Sequence, residues 1–224
     1  MLRDLRCAGA DFCEEIAGAQ ESTFSLVYEG EPRSRVIWET DGFRLIADLS
    51  PLSVGHLLLL PVEHYLSFAQ LIEERGVELA DVLESVGALY RATFGRLTVL
   101  EHGSSAAMKS SACISHAHWH LMPIDGNQVN SLIMADGLPP AALTDLKQLA
   151  PYGGAPYFLC GQQGKYYVYD GRRPMRSQYL RSIVGQVLGI PDPLFDYALV
   201  VRKELLRETV ARTSGWRSIL DGPR

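Results

Sequence analysis

Residues 113–123 read Cys-Ile-Ser-His-Ala-His-Trp-His-Leu-Met-Pro, so three of the chain's six histidines, His116, His118 and His120, fall at intervals of two. The residues between and after them, Ala117, Trp119 and Leu121, are apolar. This alternation predicts a strand. Its three imidazoles would share one face, with neighbours ~6.5–7 Å apart, and the apolar set would turn to a core. Pro123 ends the strand, because it has no N–H for a ladder. Two chemistries suit such a row. Neutral imidazoles ligate zinc and other transition metals. Alternatively, the central imidazole attacks a phosphorus while its neighbours donate hydrogen bonds to the developing charge. Spacing alone does not separate the two, and a solvated, half-buried strand is the plain alternative.

The surrounding elements must position that row. Residues 11–19 predict a short helix ending near Gly18, and Ser25 to Glu29 a short strand followed by a turn at Glu29-Gly30-Glu31-Pro32. Arg35–Glu39 and Phe43–Asp48 read as strands joined by Asp41-Gly42, a hairpin signal. His56–Pro61, His-Leu-Leu-Leu-Leu-Pro, reads as a buried central strand. Phe68–Phe94 carries two helical stretches, with Val82, Val86, Leu89 and Tyr90 on one face. Leu97–Glu101 is another strand, and the small polar run Gly103–Ser111 is the loop that enters the histidine row. An antiparallel sheet with helices packed on it is the natural arrangement.

Length and composition bound the rest. The 224 residues suit one large domain or a domain plus an extension. A net charge of −5 argues against stable nucleic-acid binding. No apolar run approaches the ~20 residues needed to span a bilayer, and the first fifteen residues show no secretory signal core. Four scattered cysteines, Cys7, Cys13, Cys113 and Cys160, suggest reduced thiols and a cytoplasmic location.

From about residue 11 to 124 the chain resembles the histidine triad (HIT) superfamily of nucleotide hydrolases and transferases. Three stretches carry the resemblance. His116-Ala-His118-Trp-His120-Leu-Met122 fits the family's histidine pattern. Asp48-Leu-Ser-Pro51 through Gly55-His56-Leu-Leu-Leu-Leu-Pro61-Val-Glu-His64 fits its run from a ribose-binding acid to a Pro-x-x-His. Asp11-Phe12-Cys13-Glu-Glu-Ile16-Ala-Gly18 resembles its opening. The implied fold is α+β, an antiparallel sheet of about five strands with helices packed on it. Residues 1–135 would be the catalytic domain, and 136–224 a hairpin-and-helix extension packing on the same domain. Two departures stand out. Many members open with two cysteines that help hold zinc, but Ala10 stands at the first position, so no metal site is expected. Many have Gly-Gln-Ser/Thr ahead of the triad, where this chain has Ser111-Ala112-Cys113.

The resemblance implies that His118 is the nucleophile on an α-phosphorus, with His116 and His120 donating to phosphoryl oxygens. Asp48 would accept from the ribose hydroxyls, with Leu49 against the base. Ser111 and Cys113 would lie at the nucleotide, and His56 would support the site. His102 and Lys109 are candidates for the phosphates or the leaving group. Residues 165–181 hold five basic side chains against one acidic one, a net +4. Among them Arg172, Arg173 and Arg176 are candidates to meet a polyanionic substrate. The run Ser177-Gln-Tyr-Leu-Arg181 also occurs in some longer bacterial members, without a role that the sequence assigns. Pro139–Leu149 and Ser177–Leu188 read as helices, the second capped by Ser177, and Pro156–Cys160 with Lys165–Tyr169 as a hairpin. No cofactor is expected beyond magnesium carried by a polyphosphate substrate. A nucleotide is the expected partner, and many family members are homodimers. A metal-dependent enzyme and a non-catalytic nucleotide-binding module are the competing readings.

Overall fold

The structure, a computed structural model, describes residues 11–16, 22–108, 114 and 116–222. Strand β1 (Val36–Glu39) and strand β2 (Phe43–Ala47) form the expected hairpin. Its turn is closed by Thr40, whose hydroxyl accepts from the N–H groups of Gly42 and Phe43. Strand β3 (Leu57–Pro61) is buried along its whole length, as a run of four leucines requires. Strand β4 (Thr98–Gly103) and strand β5 (Trp119–Met122) follow, then β6 (Ala141–Leu143), β7 (Tyr157–Gln162) and β8 (Lys165–Asp170). All pairings are antiparallel, in the order β1-β2-β3-β5-β4-β7-β8-β6. The sheet therefore has eight strands rather than about five. The C-terminal hairpin does not sit on it as a separate layer: β7 pairs with β4 through six residues and continues the sheet.

Helix α3 (Phe68–Phe94) covers one face. It is kinked at Arg75, just before Gly76, which accounts for the two predicted stretches. Gly76 and Gly87 each cost the helix ~1 kcal/mol relative to alanine. Burial of Leu79, Val82, Val86 and Tyr90, at ~1.5–3 kcal/mol apiece, outweighs that. Its first turn lacks a side-chain cap from Ser67. Glu101 of β4 serves instead, accepting from the Phe68 N–H at 2.7 Å and from Trp119 and Tyr157 at 2.9 and 2.7 Å. Burial pushes this carboxyl up to about 7, against those three donors. The opposite face of the sheet presents Leu100, His120 and Met122 towards α5 (Tyr179–Val187), which, with α4 (Gly126–Ala135), packs there, while Leu58 clusters with Phe12, Ile46 and Leu60.

Four local expectations are corrected. Residues 23–28 form helix α2 (Thr23–Tyr28), not a strand, because Ser22 and Ser25 make a reciprocal capping box. Pro139–Leu149 is not a helix: β6 adds to the sheet edge and a 3₁₀ segment, Leu146–Gly154, follows. Helix α5 starts after Gln178 in the left-handed region, so Ser177 is not its cap. The histidine strand is shorter than the alternation implied, and only His120 of the three lies within β5. Helices α1 (Asp11–Ile16), α6 (Lys203–Arg212) and α7 (Trp216–Leu220) complete the described elements. Among the described residues, no helix is long and apolar enough to cross a membrane.

Candidate active site

His118 stands just before β5, 9% exposed. Its Nδ1 lies 2.7 Å from the His116 carbonyl oxygen. A carbonyl only accepts, so Nδ1 carries the proton and Nε2 carries the lone pair in the neutral ring. Phe12 of α1 holds the ring edge-on at 5.3 Å. Burial lowers the pKa of His118; the His116 carbonyl and Asp48 oppose this, and Arg181 adds to it. The acid limb of kcat/KM is therefore expected below the ordinary imidazole value of ~6.5. A pH–rate profile falling off at or above that value would contradict it. Stability follows the same sign. His56, His102 and His116 stay neutral in the fold down to about 4, each chiefly through burial. The unfolded chain takes up protons near ~6.5, so stability falls as pH drops from there towards 4.

His120 is oriented by a chain of two hydrogen bonds. The Leu52 N–H donates to His56 Nδ1 at 3.2 Å, which leaves the proton of His56 on Nε2. That N–H donates to His120 Nδ1 at 2.9 Å. Neutral His120 must then carry its own proton on Nε2 and act as a donor in the cleft it lines. Burial holds its pKa well below the usual value, with His118 and His56 adding to the shift. His56 thus supports His120 rather than touching a ligand.

His116 does not join them. Its Nε2 donates to the Pro61 carbonyl at 2.8 Å, and its Nδ1 faces Cys13 Sγ at 3.2 Å and His64 Nδ1 at 3.3 Å. Both nitrogens are engaged away from the cleft, whose lining includes His118 and His120 but not His116. The expected donation from His116 to a phosphoryl oxygen is corrected accordingly: the chain reaches β5 only at Trp119, so the three rings do not share one face.

Cys13, His64 and His116 also bear on the family's zinc. Cys13 Sγ and His64 Nδ1 are 3.6 Å apart, completing a triangle of 3.2, 3.3 and 3.6 Å. Tetrahedral donors around zinc, with bonds of ~2.3 Å to sulfur and ~2.0–2.1 Å to nitrogen, stand ~3.3–3.6 Å apart. The proton of His116 sits on Nε2, so its Nδ1 offers a lone pair. These residues fit the ion. A zinc there would tie α1 to the strands and fix His116, acting structurally. Zinc in hundredfold excess over Kd is expected to raise Tm by ~5–10 °C, and Cys13→Ser to remove the rise. A Tm indifferent to zinc would leave a hydrogen-bonded cluster alone.

Asp48 directly follows β2 and is buried. Its Oδ1 accepts from the Ser50 N–H at 2.8 Å and lies 3.4 Å from Arg181 Nη1, while its Oδ2 is 3.7 Å from His56 Nε2. Burial acts to raise the carboxyl, but His56, Arg181, His120 and the Ser50 N–H together hold it well below the usual carboxylate range. Arg181 also donates to the carbonyls of Ser50 at 2.7 Å and Phe195 at 3.2 Å. In the sequence this residue stands out as one of the five basic side chains of 165–181 and as the last member of the unassigned Ser177–Arg181 run. Gln178 of the same run bonds Asp196 and the Tyr197 N–H, bringing Tyr197 over Arg181.

These groups line one cleft. Leu49 and His102 line it too, and the ring of His102 is packed on Phe158. Lys109, Ser111 and Cys113 lie outside the described residues. The tail arginines chosen from the sequence do not line it. Arg172 pairs with Asp170 at 2.5 Å, Arg176 pairs with Asp136 at 3.2 Å, and Arg173 bonds the Asp136 carbonyl. Asp170 and Asp136 thus each pair with one of these arginines away from the cleft. Phe12, Glu15 and Arg35 line the cleft and escaped notice, since nothing local marks a helix or strand-end residue as pocket-facing.

Residues 29–127 match the model of the HIT domain family. An uncharacterized HIT-like protein of Methanocaldococcus jannaschii is 23% identical over 101 residues, 45% of this chain and 76% of the relative. A hypothetical histidine triad nucleotide-binding protein from Sulfolobus tokodaii aligns over 84% of this chain and 91% of its own, at 17% identity and a TM-score of 0.34. A Hit-like protein involved in cell-cycle regulation from Bartonella henselae aligns over 51% and 78%, at 17% identity and a TM-score of 0.38.

Proposed function

The chain belongs to the histidine triad superfamily through the HIT domain at residues 29–127, and from that premise we propose that it is a nucleotide hydrolase or nucleotidyltransferase acting at an α-phosphate through a nucleotidyl-histidine on His118. The observation that carries this reading is the tautomer of His118. With Nδ1–H held by the His116 carbonyl, the Nε2 lone pair attacks phosphorus. The bond to the leaving group breaks, and the leaving group departs with that electron pair. Water or a second phosphate or alcohol then attacks the same phosphorus, breaks the P–N bond and returns His118 to its starting state. The Nε2–H of His120 donates to a phosphoryl oxygen, where charge sits in the transition state. His120 does this while neutral, so no positive charge has to be buried beside the nucleophile. The reaction so written needs no cofactor; magnesium enters with polyphosphate substrates.

Nucleotide phosphoramidates, dinucleoside polyphosphates and nucleotide sugars, assayed with and without added phosphate, separate hydrolase from transferase. Intact-mass analysis of the reaction quenched in alkaline denaturant, which preserves a P–N bond that acid would hydrolyse, should show the chain plus one nucleoside monophosphate. Failure to detect that adduct under any of these substrates would favour a nucleotide-binding module instead.

In the same reading Asp48 accepts from the ribose hydroxyls with Oδ2, since Oδ1 is held by Ser50 and Arg181. Asp48→Ala is expected to weaken ribonucleotide binding by ~1.5–3 kcal/mol, the scale of hydrogen bonds to a charged group, and to weaken a 2′-deoxy analogue by less. Equal losses for both sugars would remove Asp48 from diol recognition.

A further inference from the structure

We propose that Phe12 is a positioning residue for the nucleophile, and that zinc held by Cys13, His64 and His116 tightens nucleotide binding by pinning the helix that carries it; this rests on the nucleotide reading above. Helix α1 runs only from Asp11 to Ile16. That is well short of the ~12–15 residues at which a helix holds alone in water, so its side-chain contacts set its place. Phe12 is buried, packs with Ile46, Leu58 and Leu60, and meets the His118 ring edge-on at 5.3 Å. Glu15 accepts from Arg35 Nε at 2.9 Å and from its Nη2 at 2.5 Å. Both Phe12 and Glu15 line the cleft. Cys13, between them in sequence, faces His64 and His116 instead. One short helix therefore gives two side chains to the wall of the cleft and a third to the cluster that fits an ion.

The cluster reaches the nucleophile by two routes. The first is through the chain: Cys13 follows Phe12, so fixing the sulfur fixes the ring that His118 packs against. The second is through His116. Its Nε2 already donates to the Pro61 carbonyl, so an ion on Nδ1 would hold the ring at both nitrogens. The carbonyl of the same residue keeps the proton on His118 Nδ1, at 2.7 Å. With no ion, the sulfur of Cys13 offers a thiol, a weak donor with one hydrogen, to two imidazole nitrogens. Loading the cluster replaces that hydrogen by bonds from all three atoms to the ion, and the thiol proton passes to solvent. A nucleotide that binds the unlatched chain must also order α1, which weakens its net affinity. One that binds the latched chain need not. By linkage, the nucleotide must strengthen the hold on zinc by the same factor.

The test is calorimetric titration of the full chain with AMP and with GMP, once after chelation and once with zinc equimolar to protein. Zinc is expected to lower the Kd of the nucleotides about fivefold or more, the lower end of site-to-site couplings. Saturating nucleotide should lower the Kd of zinc, read by competition with a chelating dye, by the same factor. Phe12→Ala keeps all three ligands, so it should still bind zinc and lose most of the gain. The comparison on the unaltered chain decides the matter even if that variant misfolds. Equal nucleotide affinity with and without zinc, or a chain that takes up no zinc, would overturn the coupling and leave the nucleotide reading standing. An undiminished gain in Phe12→Ala would also overturn it, tracing the effect to global folding. Binding of neither nucleotide in either state would overturn the nucleotide reading as well.

Discussion

His118→Asn is expected to lower kcat by ~10³–10⁶-fold, the scale seen when a covalent nucleophile is removed, while the melting temperature stays near that of the unaltered chain. The reason is that the asparagine amide is a poor nucleophile towards phosphorus, whereas the surrounding strands do not depend on the ring. The nucleotidyl adduct should vanish with the activity. His116→Ala should cost less in kcat, because His116 acts by offering its carbonyl, which alanine retains, and by its packing with Cys13 and His64. Its larger effect should be on stability. A folded His118→Asn chain that turns over at near-native rate would sink the nucleophile assignment outright.

Arg181→Met should be the most damaging substitution outside the histidines. The pair it breaks has both side chains 9% exposed, and removing one partner of a buried ion pair costs ~3–5 kcal/mol, because the remaining charge is left in a poorly solvating site. Denaturant unfolding at neutral pH measures this loss. Its pH dependence identifies the cause. Asp48 has its folded pKa depressed below the ordinary carboxylate value, so its stabilisation is present above that value and is lost as pH falls through the folded one. The gap between Arg181→Met and the unaltered chain should therefore narrow as pH is lowered through the carboxylate range. The double change with Asp48→Asn should recover much of the loss, showing coupling. KM for ribonucleotides should rise ~10–100-fold, since a mispositioned or protonated Asp48 is a poorer acceptor. Arg181→Lys keeps charge but not the fork that reaches Ser50 and Phe195, and should fall between. If Arg181→Met unfolds at the same denaturant concentration and keeps its KM, the tail contributes nothing to Asp48.

The two results together would make residues 178–181 part of the nucleotide site. Pairing of β7 with β4 explains how that is achieved: the sheet runs on into the C-terminal segment and delivers α5 to the face that bears His120.

By itself the sequence determined the elements whose signals are periodic and local. Asp41-Gly42 set a hairpin, four leucines set a strand buried on both faces, and the spacing of Val82, Val86 and Tyr90 set a helix face. The histidine row, with Asp48 and the Pro-x-x-His run, pointed to the family and to His118. Even local signals competed at residues 23–28, where strand-like residues lost to a serine capping box. Tertiary structure alone decided which partner each charged or titratable group would meet. Arg181 and Asp48 are 133 residues apart, Cys13 and His116 103, and Arg35 and Glu15 20. No periodicity encodes such meetings, because a side chain's partner depends on where whole elements pack. The same packing took His116 out of the reacting row, turned His120 into a neutral donor, and left the arginines at 172, 173 and 176 at the surface while burying the one at 181 against the carboxylate it serves.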